Sequence, residues 1–367
     1  NVEGKTVFLR ADLDVPLTQQ TTNNSPAGEA GKQQTTIEDD TRLKASIPTI
    51  EYLLKNNAKV VIGGHLGRPK GINKSLSLEP VAHWFVKKLI HNSEFIIHNS
   101  KLASFEGWEI GPSIFLLENL RFYAGEEAND PEFAKKLANL AQIYVNDAFA
   151  MSHRNHASIV EITKFLPHFA GLHLEKEISV LSKAFQNPRR PLAVVIGGKK
   201  IETKLPLVAK MYSIADYVLV GGKIAQEHKE FLKIEHQKIN PPADAKSDLA
   251  DGRKAILLVA DLNEQGTGIL ENSLNNFIEI IERAKTIIWN GTMGKIENNG
   301  DFNHATKKIA EAIIKTKSYS VVGGGDTTEF LRKRGIINKF SFASTGGGAM
   351  LAFLSGEKLP GLVALEK

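Results

Sequence analysis

Leu192-Ala-Val-Val-Ile196 runs directly into Gly197-Gly198-Lys199-Lys200. A short β-branched run that stops on glycine reads as a strand followed by a tight turn. The same junction recurs at 217–220 before Gly221-Gly222-Lys223, and at 286–289 before Asn290-Gly291-Thr292-Met293-Gly294. It appears again at 320–322 before Gly323-Gly324-Gly325-Asp326-Thr327, and at 341–343 before Thr345-Gly346-Gly347-Gly348. A run at 256–259 adds one more strand to this half, and the first half carries similar runs at 6–10, 59–63, 95–97, 114–117 and 143–146. Amphipathic stretches at 42–56, 79–90 and 131–140 lie between them, the last with Pro131 in its first turn behind Asp130 as a cap. This alternation predicts an α/β fold of βαβ units with parallel sheets.

The 367 residues are enough for two domains with full cores. An amphipathic helix at 174–185, behind Gly171 and ahead of Asn187-Pro188, marks 169–187 as the connector between them. A composition of 42% hydrophobic and 24% charged residues excludes disordered and coiled-coil classes. The exception is 18–36, rich in Gln, Thr, Asn and Gly, which is expected to be a mobile surface loop. With no cysteine there is no disulfide framework, thiolate nucleophile or Cys-type metal site. Residues 1–167 hold 18 basic and 19 acidic side chains, and 168–367 hold 28 and 22. So mild a surplus, with only 7% aromatics, argues against a nucleic-acid partner. The apolar runs are far shorter than the ~20 residues of a membrane-spanning helix, and residues 1–10 do not read as a signal peptide. A cytoplasmic location is expected, and an opening residue of Asn1 rather than Met leaves an organellar leader open.

Ligands of open parallel sheets bind beyond the carboxyl ends of the strands, so the residues there decide the chemistry. In the first half these ends carry Arg10, Asp12, His65, Arg68, Arg121, His153 and Arg154, with Arg42 opening the first helix after Asp39-Asp40-Thr41. Taken singly, each arginine is a surface residue in a local ion pair; five near one edge suit a small, multiply charged anion. In the second half the ends are glycine turns flanked by Lys200, Lys204 and Asp326. Glycines serve tight turns, but five such turns on one edge also allow phosphates to approach backbone amides, beside a metal. No GxxxxGK[ST], no GxGxxG after the first strand and no HExxH is present. His153 and His156, with no third ligand nearby, read as structural or solvent-facing, and Phe149 and Met151 as core.

These strand ends resemble the phosphoglycerate kinase family from Lys5 to the end of the chain. The likeness is carried by Arg10-Ala-Asp-Leu-Asp-Val-Pro16, Asp39-Asp-Thr-Arg-Leu-Lys-Ala45, Gly64-His-Leu-Gly-Arg-Pro69, Glu118-Asn-Leu-Arg-Phe122, Asn146-Asp-Ala-Phe-Ala150, Ser152-His-Arg154, Trp289-Asn-Gly291, Gly323-Gly-Gly-Asp-Thr327 and Ser344-Thr-Gly-Gly-Gly348. The resemblance implies two Rossmann-like domains with parallel sheets joined by a hinge helix. A phosphoglycerate-binding domain at 1–168 would be completed by a C-terminal tail at 349–367, and a nucleotide-binding domain would occupy 188–348. It implies a monomer acting on small molecules, with reversible phosphoryl transfer between 1,3-bisphosphoglycerate and ADP giving 3-phosphoglycerate and MgATP. By the same resemblance Asp12, Asp14, Arg42, His65, Leu66, Gly67, Arg68, Arg121 and Arg154 line the phosphoglycerate site. Gly198, Lys200, Lys204, Gly221, Gly222, Asn290, Glu297, Gly324, Gly325 and Thr327 would line the nucleotide site. Asp326 would hold magnesium, and Arg42, Lys200, Gly346 and Gly347 would stabilise the transferring phosphoryl.

Several positions depart from the family pattern. Asp14 stands where the family has Asn, Lys199 and Lys223 where it has small residues, and Thr292 where it has Pro; 268–271 lacks the family's Asp-x-Gly-Pro, and 18–36 is longer. A carboxylate at position 14 requires either a cation to hold it, such as Arg10 or Arg154, or protonation to the neutral acid. A diverged, non-catalytic binding protein that keeps one or both sites is the alternative reading. An unrelated two-domain sugar-phosphate or nucleotide-sugar enzyme follows only from analogy of fold.

Overall fold

Parallel pairing joins the apolar runs because the central ones are buried on both faces and long crossovers separate them. The computed structural model describes residues 1–21, 33–90, 97–198, 204–225, 255–266, 268–294 and 304–366. These divide into two compact units, one of 1–176 with 359–367 and one of 177–358. The division falls inside the helix Leu172–Gln186, between Lys176 and Glu177. The helix Gly347–Leu354 belongs to unit 2, so the segment that returns to unit 1 is 359–367, shorter than 349–367. It is anchored there by the Gly361 amide, which donates to the Ser152 carbonyl at 2.9 Å.

Unit 1 is built on β1 (Thr6–Arg10), β4 (Lys59–Gly63), β7 (Ile114–Leu117), β8 (Ile143–Asn146) and β9 (His168–Ala170). In spatial order β7-β4-β1-β8-β9 they pair in parallel, with Arg10 opposite both Gly63 and Asn146. Side chains alternate between faces, so Val7, Leu9, Val60 and Ile62 pack with Leu43, Ile50, Val81 and Phe85 of two helices on one side. Phe8, Val61, Leu117 and Tyr144 pack with Phe133 and Leu137 on the other. The helix Pro131–Ala138 starts as expected: Asp130 accepts the Phe133 amide at 2.7 Å and Pro131 fills the first position, which has no hydrogen-bonding duty.

Two expectations are corrected. The sheet is not parallel throughout, because β5 (His98–Leu102) and β6 (Phe105–Gly111) extend it past β7 in antiparallel pairing. Only two residues separate β5 from β6, too few for a parallel crossover, and Ala103 takes a left-handed φ of 53° to make the turn. The run read at 95–97 lies largely outside the described residues, and Ile97 precedes β5. Finally, the arms of the expected loop 18–36 are strands, β2 (Leu17–Thr21) and β3 (Gln33–Ile37), paired with Thr18 opposite Thr36. Residues 22–32 lie outside the described residues.

Unit 2 carries β10 (Leu192–Ile196), β11 (Tyr217–Val220), β12 (Ile256–Val259), β13 (Thr286–Asn290), β14 (Tyr319–Gly323) and β15 (Phe342–Ala343). Their order is β12-β11-β10-β13-β14-β15 and every pairing is parallel. Every strand but β12 therefore delivers a glycine turn to one edge, where Asn290 sits beside both Ile196 and Gly323. The Asp130 cap gives a simple check: Asp130→Ala should lower stability by about 1 kcal/mol, read as a lower urea midpoint at unchanged slope.

Candidate active site

Arg10 ends β1, and the chain turns through Asp12 and Asp14 toward the helix Thr41–Lys55, whose first turn carries Arg42. The Arg42 guanidinium lies between the two carboxylates, with Nε 3.4 Å from Asp12 Oδ2 and Nη1 3.5 Å from Asp14 Oδ2. Nη1 also donates to the Asp14 carbonyl at 3.0 Å. Purely local pairing is not what holds Arg42: Asp40 is engaged by Lys44 at 2.8 Å and the Trp84 indole at 3.1 Å, and Asp39 is a lesser acidic neighbour. Burial raises the pKa of Asp12, with Arg42 opposing and Asp14 adding to the rise. Asp12 in turn raises that of Arg42 against the effect of burial. The cation that holds Asp14 is thus Arg42, not Arg10 or Arg154, and Asp14 Oδ1 also accepts the Gly67 amide at 2.8 Å.

The turn after β4 is fixed by Asn119, which is fully buried. Its side-chain amide donates to the carbonyls of Leu66 and Leu76 at 2.8 and 2.9 Å, and the Leu120 amide donates to Gly64 at 3.0 Å. Arg121 reaches the Gly67 carbonyl at 2.7 Å while pairing with Glu127 at 3.0 Å. His65 is 2% exposed. Burial first, then Arg10, Arg121 and Arg42, hold its pKa well below the ordinary value, so the ring is neutral. Arg68 and Arg154 differ from the other arginines: both are exposed, and neither has an acidic partner among the described residues. His156 is buried with Nδ1 3.7 Å from Glu126, and His153 is held down to about 4 by burial and Arg154. Phe149 and Met151 are core residues.

In unit 2 the structure separates glycines of two kinds. A Cβ at Gly291, where φ is +97°, would lie 2.0 Å from the Gly197 carbonyl oxygen, and one at Gly222 would lie 2.8 Å from that of Thr292. A Cβ at Gly221 would lie 2.6 Å from the Met293 sulfur and one at Gly323 2.2 Å from that of Met350, both on flexible side chains. At Gly291 and Gly222, where the neighbour is backbone and φ is positive, turn packing alone demands glycine. Gly325 has nothing within 4 Å, so no packing requires it. It opens the helix Gly325–Lys333, and a Cβ on Gly347, which opens Gly347–Leu354, would come 3.1 Å from Gly324 Cα. Two helix N-termini therefore start side by side, and the amides of Gly347 and Gly348 have no acceptor among the described residues, an arrangement that favours anions. The Gly346 amide instead donates to Ser344 Oγ at 3.2 Å.

Lys204 is buried beneath Gly198, its ammonium donating to the Gly197 carbonyl and to Asn290 Oδ1 and O at 2.9 and 3.2 Å. Three ammonium protons meet three protein acceptors, so Lys204 must exchange one of them to touch a ligand. Burial lowers its pKa to about 8, against the attraction of Asp326. Asp326 is exposed in the first helical turn, and Thr327 Oγ1 accepts the Gly291 amide at 3.0 Å. Lys200 and Glu297, together with Lys199, lie outside the described residues, whereas Lys223 is described and exposed after β11.

A family model described as phosphoglycerate kinase matches residues 1–261 and 259–357. The chain belongs to the phosphoglycerate kinase family. It is 38% identical to a phosphoglycerate kinase of Dictyoglomus turgidum and 36% identical to a cytosolic one of Triticum aestivum, covering all of this chain and 96% of each relative. The structure matches a phosphoglycerate kinase of Coxiella burnetii at a TM-score of 0.78 and 31% identity, covering all of this chain and 97% of that one. The chain is accordingly a kinase with small-molecule substrates. No helix among the described residues is long and apolar enough to cross a membrane.

Asn119 stands within Glu118-Asn-Leu-Arg-Phe122, but its reach to Leu66 and Leu76 has no mark in the sequence, and neither has the link of Arg10 to Glu126 and Ser158. The buried Lys204 makes a prediction. Affinity for MgADP should fall as pH rises through about 8, where the ammonium is lost, and Lys204→Gln should flatten that dependence in calorimetric titrations. The same lowered pKa lets the unfolded chain bind more protons between pH 8 and 10.5, so this group makes stability rise with pH across that window.

Proposed function

We propose that this phosphoglycerate kinase transfers a phosphoryl group reversibly between the acyl phosphate of 1,3-bisphosphoglycerate and ADP. The P–O bond to the carboxyl oxygen breaks as one forms to the β-phosphate oxygen of ADP, giving 3-phosphoglycerate and ATP. In reverse the carboxylate of 3-phosphoglycerate is the acceptor. The observation that carries this reading is the contrast between the two strand edges. Unit 1 offers arginines, of which Arg68 and Arg154 lack acidic partners among the described residues, and unit 2 offers adjacent helix N-termini whose Gly347 and Gly348 amides are open among the described residues. Transfer of this kind needs positioning and charge neutralisation, not a covalent protein intermediate. No observation favours the non-catalytic alternative.

In this reading Arg68, Arg121, Arg154 and His65 receive the phosphate and carboxylate of phosphoglycerate, beside Asp12, Asp14, Leu66 and Gly67. Gly198, Lys204, Gly221, Gly222, Asn290, Gly324, Gly325 and Thr327 receive the nucleotide, and the family resemblance adds Lys200 and Glu297. Arg42, Lys200 and the Gly346–Gly347 turn stabilise the charge in flight. Magnesium fits the donor set: it is satisfied by one or two carboxylates plus phosphate and water, and Asp326 is a single exposed carboxylate beside the amides assigned to phosphate. Bound there with the nucleotide, it would neutralise phosphate charge. A monomer in the cytosol without a nucleic-acid partner completes the proposal, the location matching the cytosolic relatives.

With MgATP and 3-phosphoglycerate the purified chain should drive NADH oxidation through a coupled dehydrogenase, and absence of turnover at high enzyme concentration would reject the reading. Arg42→Ala should lower kcat by about 100-fold or more with a smaller effect on nucleotide affinity; retention of most of the kcat would remove Arg42 from the transfer step. Asp14→Asn keeps an acceptor for the Gly67 amide while removing one of the anions on Arg42. It should lower KM for 3-phosphoglycerate and leave that for MgATP unchanged in steady-state kinetics.

A further inference from the structure

Beneath the arginine-rich edge of unit 1 a buried polar chain runs from Glu126 through Ser158 and Arg10, which the proposed reaction does not use directly, to His65. Arg10 is fully buried, and its Nη2 lies 3.2 Å from His65 Nδ1. A guanidinium carries only donors and keeps its proton at every accessible pH. The contact therefore has one direction: Arg10 donates and His65 Nδ1 accepts. An imidazole that accepts at Nδ1 is neutral and carries its proton at Nε2. That Nε2 is 3.9 Å from Asp14 Oδ2, too far for a hydrogen bond, and it has no acceptor among the described residues.

Arg10 is itself held in place. Its Nε donates to Ser158 Oγ at 2.8 Å and its Nη1 to the Ala11 carbonyl. Ser158 is clamped on Glu126, through its hydroxyl at 2.6 Å and its amide at 3.0 Å, and its carbonyl accepts the Tyr144 hydroxyl at 2.8 Å. Glu126 is fully buried, with Arg10 Nη2 at 4.0 Å and His156 Nδ1 at 3.7 Å. Burial would raise the Glu126 pKa, but His156, Arg10 and Ser158 together hold it below the usual carboxylate range, which supplies a buried negative charge for Arg10. The groups facing His65 are Arg10 from β1, Arg42 from the first helix, Arg121 from the turn after β7, His156, and the Asp14 carboxylate.

We propose that Arg10 is a positioning residue that locks His65 as the neutral tautomer protonated at Nε2, so that His65 presents one uncharged N–H donor to an oxygen of the bound anion beside Asp14. The role given to the anion rests on the proposed phosphoglycerate reading; the tautomer itself does not. An uncharged donor has a consequence for the departure at position 14. An imidazolium would close an ion pair with Asp14, whereas the neutral ring leaves that carboxylate to Arg42 and keeps its own N–H available.

The test is nitrogen-15 NMR of histidine side chains in the full-length, ligand-free chain, with His65 assigned by the signal lost in His65→Gln. The expected result is a pyridine-type Nδ1 and a protonated Nε2 that do not change between about pH 5 and 8, the range in which an unperturbed histidine titrates. A protonated Nδ1, or conversion to imidazolium within that range, overturns the proposal. In Arg10→Gln, checked for folding by circular dichroism, His65 should titrate or populate both tautomers, and KM for 3-phosphoglycerate should rise about 10-fold or more. If this variant folds and His65 is unchanged, Arg10 is not what sets the tautomer; if it does not fold, the wild-type spectrum decides. Turnover with the wrong tautomer overturns this inference alone, and the right tautomer without turnover overturns only the functional reading.

Discussion

Both sheets obey one constraint: a parallel strand covered on its two faces can present chemistry only at its ends. Val7, Phe8 and Leu9 are fully buried, as are Leu192 through Ile196, so no side chain along these strands is available to a ligand. What remains are the turns after the carboxyl ends, and parallel pairing aligns those turns on one edge of each unit. Within unit 1 the arginines, and within unit 2 the glycines, are each gathered by that alignment rather than by proximity in sequence.

The two edges solve the problem of holding charge differently. In unit 1 the arginines are graded by occupation. Arg10 is buried and committed to Ser158, Ala11 and His65; Arg42 is divided between Asp12 and Asp14; Arg121 is held by Gly67 and Glu127; Arg68 and Arg154 have no acidic partner among the described residues. Such a series keeps a positively charged surface folded without a ligand, because the inner cations are neutralised and only the outer ones are open. In unit 2 the charge is carried by backbone amides at two adjacent helix starts, and the buried Lys204 is fully engaged by carbonyl and amide oxygens. Backbone dipoles are fixed by the fold, so they need little reorganisation when an anion arrives.

Asp14 shows how a departure from the family pattern can be accommodated. Its two oxygens and its carbonyl all face donors, the Gly67 amide and the Arg42 guanidinium. The carboxylate is absorbed by a cation that the site already possessed, so Arg42 bears two anions where the family pattern would supply one. The consequence falls on Arg42, not on the integrity of the turn.

The alternation of apolar runs and amphipathic stretches, and the glycines and arginines that follow the runs, were legible in the sequence because strand burial and helix periodicity are local properties. The α/β class, most strand positions and the family followed from them. The pair β5 and β6 was not legible, because His98-Asn-Ser-Lys101 is a polar edge strand and its turn at Ala103 lacks the glycine or asparagine that usually marks one. Nor could spacing show which glycines serve packing: Gly291 and Gly325 look alike in sequence, and only the neighbouring backbone tells that the first has no room for a side chain and the second has ample space. The same holds for Arg10, whose partner Ser158 lies 148 residues away, and for Asp14, whose cation proved to be Arg42. Contacts of that span are set by how strands order themselves in a sheet, and that order is decided by tertiary packing, on which a linear pattern of residues is silent.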